Sequence, residues 1–317
     1  MRVYDADAVR AAVPVSDLLD AVERAFRDVA AGRDRSPLRI SVPLPNGDLL
    51  LMPGIRQDGA GSSVKLVTVQ SGNAARGLPT VQAVVVWFDQ ETGEPQAVID
   101  GGSLTRMRTG AASGVATRLL ARPESSVMAL LGAGGQAAWQ VRAVVAARPI
   151  SEVRVYARNA ESRERFAAEM ADELGQAVRL IAASSAEEAV RDADVVCCAT
   201  TSSKPVFQAG WLRPGAHVNG VGAYRLGMVE IPPELFGTAR VVAVDAREAA
   251  LAEAGDLVAA IEAGLLGTDD FVEIGSIERS WVTTRDPEAI TVFKSVGLAI
   301  QDVATAELVV RGGASRG

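Results

Sequence analysis

The 317 residues, 48% of them hydrophobic, exceed what one typical core organises and suit two domains that each bury an interior, with a cleft between them. A net charge of -7 and a pI near 5.0 oppose binding to nucleic acid or to an anionic membrane surface, which leaves small-molecule chemistry as the expectation. One histidine, His217, and two adjacent cysteines, Cys197 and Cys198, are too few for an ordinary metal site, so none is expected.

The first 26 residues carry acids throughout and lack the basic flank and unbroken apolar run of a signal peptide. No apolar stretch is long enough to cross a bilayer, and a cytoplasmic location is expected. An amphipathic helix is predicted from Asp17 to Ala31. Strands follow at Leu49 to Met52, Ser63 to Gln70 and Thr80 to Phe88, separated by Gly, Asn and Pro turns, which reads as a mostly antiparallel sheet. A helix is expected from about Leu104 to Leu120.

Beyond Val127, short β-branched runs alternate with helical stretches, the pattern of a parallel sheet with crossover helices. The expected strands are Val127 to Leu131, Glu152 to Ala157, Val178 to Ala182, Val195 to Ala199, His217 to Val221 and Ala239 to Asp245. Helices are expected at Gln136 to Ala147 and Glu161 to Leu174. The tail from Ile290 to Val310 reads as helical and as returning to the first domain, and 312–317 read as frayed. The fold class is therefore α/β: a Rossmann-type doubly wound parallel sheet over 121–289, plus a second α+β domain over 1–120 joined by 290–317.

The segment LLGAGGQAA carries Gly132, Gly134 and Ala137 in G-x-G-x-x-A spacing, directly after a strand and before a helix. The first glycine permits the turn, the second lets a pyrophosphate approach the backbone, and the small third residue lets helix and strand pack closely. Ala133, Gly135 and Gln136 complete the loop, whose free N–H groups would face the phosphates. At the end of the second strand an NAD-selective site would place an acid for the ribose hydroxyls; here stand Ala157, Arg158 and Asn159. The Arg158 guanidinium suits a 2'-phosphate, so NADP(H) is favoured over NAD(H), a solvated arginine being the alternative. Thr200, Thr201, Val221 and Gly222 follow the fourth and fifth strands, at the carboxyl ends where dinucleotides lie, or are plain turn residues. Cys197 and Cys198 are expected to be buried, inert thiols, and His217 structural.

Lys65 shares a strand face with Val67 and Val69 while Val64 and Leu66 take the other, so it points into a cavity or lies at an exposed edge. Arg108 precedes Gly110, Ala111, Ala112 and Gly114 on a helix, small residues that let another backbone or a cofactor come close; a surface position fits the residues equally well.

Taken in order, SSVKLVTV, GLPTVQAVVVWFD, ETGEPQAVIDG, LTRMRTGAASGVAT, GAGGQA, CCATTS, VNGVGA and ITVFKSVGLAIQD resemble the ornithine cyclodeaminase and mu-crystallin family from about Arg39 to Ala304. The resemblance implies an NAD(P)-dependent enzyme of amino-acid metabolism: cyclodeamination, amino-acid dehydrogenation or ketimine reduction. It also implies a homodimer joined through the non-Rossmann domain. It maps the substrate pocket onto Arg39, Lys65, Arg108 and Thr109, the last toward the cofactor, and Lys294, Ser295 and Gly297 onto the segment near the nicotinamide. Two positions where cyclodeaminases carry acids hold Leu50 and Tyr224 here, which favours the imine-reductase and mu-crystallin branch. The expected reaction is hydride transfer between the nicotinamide and the α-carbon of an imino or amino acid. Arg108 and Arg39 would hold the carboxylate, Lys65 would supply charge or a proton, and Tyr224 would be a second donor. A lyase recycling bound NAD+ and a non-catalytic dinucleotide-binding protein are the alternatives.

Overall fold

The computed structural model describes residues 1–59 and 61–314. Among them the strands are β1 (Arg2–Tyr4), β2 (Asp34–Arg35), β3 (Ile40–Leu44), β4 (Gly47–Arg56), β5 (Ser62–Gln70), β6 (Val81–Phe88), β7 (Pro95–Asp100), β8 (Val127–Leu131), β9 (Glu152–Tyr156), β10 (Arg179–Ala182), β11 (Val195–Cys198), β12 (His217–Gly220), β13 (Val241–Val244), β14 (Val272–Glu273) and β15 (Thr291–Lys294). The helices are α1 (Ala6–Ala12), α2 (Val15–Ala30), α3 (Gly101–Leu120), α4 (Ala137–Ala147), α5 (Ala160–Leu174), α6 (Ala186–Val190), α7 (Pro233–Thr238), α8 (Arg247–Glu253), α9 (Gly255–Glu262), α10 (Trp281–Thr284) and α11 (Ala299–Ala314). They form two compact units, 1–108 with 298–317 and 109–297, the first boundary falling inside α3.

In the first unit a seven-stranded sheet runs β1-β7-β6-β5-β4-β2, with β3 also on β4, and only the β1–β7 pairing is parallel. Strand alternation splits its residues cleanly. Leu50, Met52, Lys65, Val67 and Val85 lie on one face and are buried; Leu51, Val64, Leu66 and Val84 lie on the other and are half-buried or exposed. Helix α11 covers the first face, its Ala299 packing in one cluster with Leu50, Met52 and Val67. Gly54 lets it come close, since a Cβ there would sit 2.7 Å from Val303 and 3.0 Å from the backbone of Ala299. Helix α2 packs on α11 through a stripe of Leu18, Leu19, Val22 and Phe26.

The second unit is built on an eight-stranded, wholly parallel sheet ordered β10-β9-β8-β11-β12-β15-β13-β14. The chain enters at β8, winds outward to β10, then returns to β11 on the other side of β8, so the order reverses between β8 and β11. Central strands are buried on both faces, as an all-parallel sheet demands, which explains their unbroken apolar runs. The expected helical tail is corrected here. Thr291–Lys294 is β15, inserted between β12 and β13, because its β-branched and aromatic TVF suits a buried strand, and the helix starts only at Ala299. Of the fraying expected over 312–317, Gly312 and Gly313 continue α11 and 315–317 lie outside the described residues.

Candidate active site

Two groups of side chains carry chemistry, one in each unit. In the first unit Lys65 projects from the covered face of β5 and is only 1% exposed. Its Nζ lies 2.7 Å from Asp302 Oδ2, and the other oxygen of that carboxylate accepts from Arg108 Nε at 3.1 Å. Arg108 comes from α3 and Asp302 from α11, both buried. Arg108 also donates to Gln301 Oε1 at 3.4 Å, and that oxygen accepts the Leu298 N–H at 2.7 Å. The amide nitrogen of Gln301 is buried without a hydrogen-bond partner. Arg39, half-buried just before β3, is near enough to act on Lys65 electrostatically.

Burial pushes the Lys65 ammonium down to about 7; Arg108 and, more weakly, Arg39 push the same way, while Asp302 opposes them. Lys65 is thus poised to give or take a proton near neutrality. The structure brings Lys65, Arg108 and Arg39 together, and puts Tyr224 in the other unit, half-buried in the loop after β12 with the Arg225 guanidinium 6.0 Å from its ring centroid.

In the second unit the glycine loop leaves β8 at the point where the sheet order reverses, the place where open α/β sheets bind dinucleotides. Gly132 has φ +111, and a Cβ there would stand 2.6 Å from Ala199 O, so only glycine permits this turn. Gly134 and Gly135 face open space, leaving their backbone approachable. Gln136 starts α4 without capping it, and its Oε1 is buried with no partner. A glycine-lined cradle at a helix N-terminus, with backbone N–H groups open to approach, fits a pyrophosphate. Ala133 is half-buried in that loop, and Thr109 is buried on α3.

At the end of β9, Arg158 is exposed, and Asn159 caps α5 by accepting the Ser162 N–H at 2.7 Å. Arg163 lies beside them, its guanidinium 5.9 Å from the Tyr156 ring centroid and donating to Ala157 O. At the ends of β11 and β12, the Glu230 carboxylate accepts the N–H groups of Thr200, Gly222 and Ala223. Thr201 is exposed next to Thr200, and Val221 donates to Cys198 O at 3.0 Å. Lys294 is fully buried, 2.6 Å from Ala223 O and 3.1 Å from Asp256. The Ser295 hydroxyl and the Val296 and Gly297 N–H groups all donate to Asp245 Oδ2.

Burial pushes the Cys197 thiol up to about 12 and raises Cys198 as well, so neither is a thiolate at neutral pH. His217 is held down to about 3 by burial, with its ring nitrogens bonded to Thr291 and Asn219.

Sequence reasoning missed Asp302, Gln301, Glu230, Asp256 and Arg163. A carboxylate on a helix ordinarily marks its wet face, and only the fold shows that Asp302 lies under the sheet. One signal was available: of 32 basic residues only Lys65, Lys204 and Lys294 are lysine, and two of these three are buried.

The sequence and the fold have counterparts among known proteins. Residues 2–315 match the ornithine cyclodeaminase/mu-crystallin family. The chain is 36% identical to a Delta(1)-pyrroline-2-carboxylate reductase of Bacillus cereus, covering 100% of this chain and 98% of that one. Among solved structures it resembles the Thermococcus litoralis Delta(1)-pyrroline-2-carboxylate reductase in complex with NADH and L-proline, with a TM-score of 0.93, 34% identity, and coverage of 100% of this chain and 98% of the other. It also resembles an archaeal alanine dehydrogenase dimer with bound NAD, with a TM-score of 0.89, 34% identity, and coverage of 100% and 97%. With a matching family pattern over nearly its whole length and full-length relatives above 30% identity, the chain belongs to the ornithine cyclodeaminase/mu-crystallin family.

Proposed function

We propose that this protein is an NAD(P)H-dependent imine reductase acting on a small cyclic or open-chain α-imino acid, with amino-acid oxidation as the reverse reaction. The observation that carries the reading is the buried Lys65–Asp302–Arg108 cluster, which places a guanidinium and a titratable ammonium side by side. Arg108, with Arg39, would hold the α-carboxylate. Lys65 would protonate the imine nitrogen, because an iminium accepts hydride far more readily than an imine. The nicotinamide, when bound, supplies the hydride to the α-carbon; the C=N bond becomes C–N and the nitrogen gains the proton. Tyr224 stands as a second candidate donor.

The second unit would hold the dinucleotide through Gly132, Gly134, Gly135 and Gln136, with Thr109, Thr200, Thr201, Val221 and Gly222 toward the nicotinamide. Lys294, Ser295 and Gly297 would act from behind, since their polar groups are tied to Ala223, Asp256 and Asp245. NADP(H) is preferred over NAD(H), because Arg158, with Arg163 alongside, stands where an NAD enzyme carries an acid. The buried, apolar Leu50 leaves a cyclodeaminase without its expected acid in the β4 position.

A panel of α-keto acids with ammonia or methylamine, and of preformed cyclic ketimines such as Δ1-pyrroline-2-carboxylate, assayed with NADPH and NADH, tests this. Oxidation of reduced cofactor in step with amino-acid formation is expected. Ammonia release from ornithine with no net change in cofactor absorbance would replace reductase by cyclodeaminase.

A further inference from the structure

We propose that Asp302 is the positioning carboxylate of the substrate site, bridging Lys65 and Arg108 so that the ammonium keeps its proton and the guanidinium turns its free edge toward a bound carboxylate. The inference rests on the reading of Lys65 and Arg108 given above.

Asp302 is fully buried, and a carboxylate in such a place is stable only when paired. It is paired twice, one oxygen to each cation. Because Asp302 takes Nε and Gln301 takes Nη1, that edge of the guanidinium stays with α11, and among the described residues Nη2 remains for another acceptor. Gln301 holds the guanidinium in this orientation by accepting from Nη1 at 3.4 Å, and its own amide nitrogen is buried without a hydrogen-bond partner. Lys65, Arg108 and Asp302 sum to one positive charge when ionised, and Arg39 beside them adds a second, a surplus suited to an anionic substrate.

The groups that face Lys65 are Arg108 from α3, Asp302 from α11 and Arg39 from the segment before β3. Two are cations that drive its proton off, and Asp302 alone retains it. The sign follows: activity that needs a protonated Lys65 is present below its pKa and is lost as pH rises through it. Neutralising Asp302 removes the one opposing influence, so the loss moves to lower pH.

The test compares pH profiles of kcat/KM for Δ1-pyrroline-2-carboxylate reduction in wild type, Asp302→Asn and Asp302→Glu, each checked for cofactor binding by NADPH fluorescence. Asp302→Asn is expected to shift the alkaline limb down by about one pH unit or more. Asp302→Glu, which keeps the charge, should hold the limb within about half a unit even if its turnover falls. An Asp302→Asn enzyme with reduced turnover and an unmoved limb would overturn the proposal, leaving Asp302 a packing residue. Since the chain has three lysines, a titration of wild type labelled with [13Cε]lysine decides independently of any variant's folding. The resonance lost in Lys65→Arg should titrate with the alkaline limb, and one that titrates like a free lysine overturns the idea. Near-normal turnover by Lys65→Met would instead remove the underlying site reading, whatever the Asp302 variants do.

Discussion

The proposed preference for NADP(H) rests on charge at a single position. Arg158 sits exposed at the end of β9, and no acid stands at 157 or 159 to accept ribose hydroxyls. A guanidinium there forms charge-assisted bonds to a 2'-phosphate, whereas a carboxylate repels it. Arg158→Asp should therefore lower kcat/KM for NADPH by about thirtyfold or more, roughly 2 kcal/mol, and spare NADH. Steady-state kinetics with both cofactors checks this, and equal losses would contradict it. At this scale strand alternation placed Lys65 on an apolar strand and left a cavity and an exposed edge both open; the structure shows it buried, while the strand-end position of Arg158 is a local property legible in the sequence. Asp302 was not, since its burial comes from α11 packing under β4 and β5, more than 230 positions away in the chain.

At the scale of elements, the Lys65–Asp302–Arg108 cluster depends on how closely α11 approaches the sheet. The approach is set by Gly54, where a Cβ would meet Val303 at 2.7 Å and the Ala299 backbone at 3.0 Å. Gly54→Ala should push α11 outward and cost about 1 to 3 kcal/mol of stability by overpacking. It should also loosen the Asp302–Lys65 contact, so that KM for the imine rises more than KM for the cofactor. Urea unfolding together with kinetics would show both effects; a stability loss with an unchanged imine KM would mean that the contact tolerates the shift. The sequence showed the helix–strand alternation of the second unit well, because parallel strands buried on both faces leave unbroken apolar runs. It misled at Thr291–Lys294, where a four-residue strand running into a helix shares one apolar stretch with it, and periodicity cannot separate the two.

On the whole-molecule scale, the sheet of the first unit leaves one apolar face in water. Ile40, Val42 and Leu66 are 58%, 43% and 37% exposed, and Leu49, Leu51, Val64, Val84 and Val86 beside them are half-buried. Contiguous exposed apolar faces of this kind commonly mark interaction surfaces. We propose that two copies of the chain join through it, consistent with the apolar character of both faces in the sequence. Sedimentation should give twice the mass of one chain, and Leu66→Asp, which buries a charge in the interface, should give the monomer. A wild-type monomer at all concentrations would contradict this. The sequence alone shows that the strands are apolar on both sides; it does not show which face α11 covers, and the proposal depends on that.

The central claim is that Lys65 serves the imine nitrogen from a buried site. Lys65→Met keeps the apolar stem and removes only the charge, while the glycine loop that would hold the cofactor belongs to the other unit. The direct measurement is the turnover of Δ1-pyrroline-2-carboxylate by Lys65→Met at saturating NADPH. A fall of ~10²-fold or more with cofactor affinity unchanged is expected, the usual scale for a positioned proton donor. Turnover close to that of the wild type would contradict it.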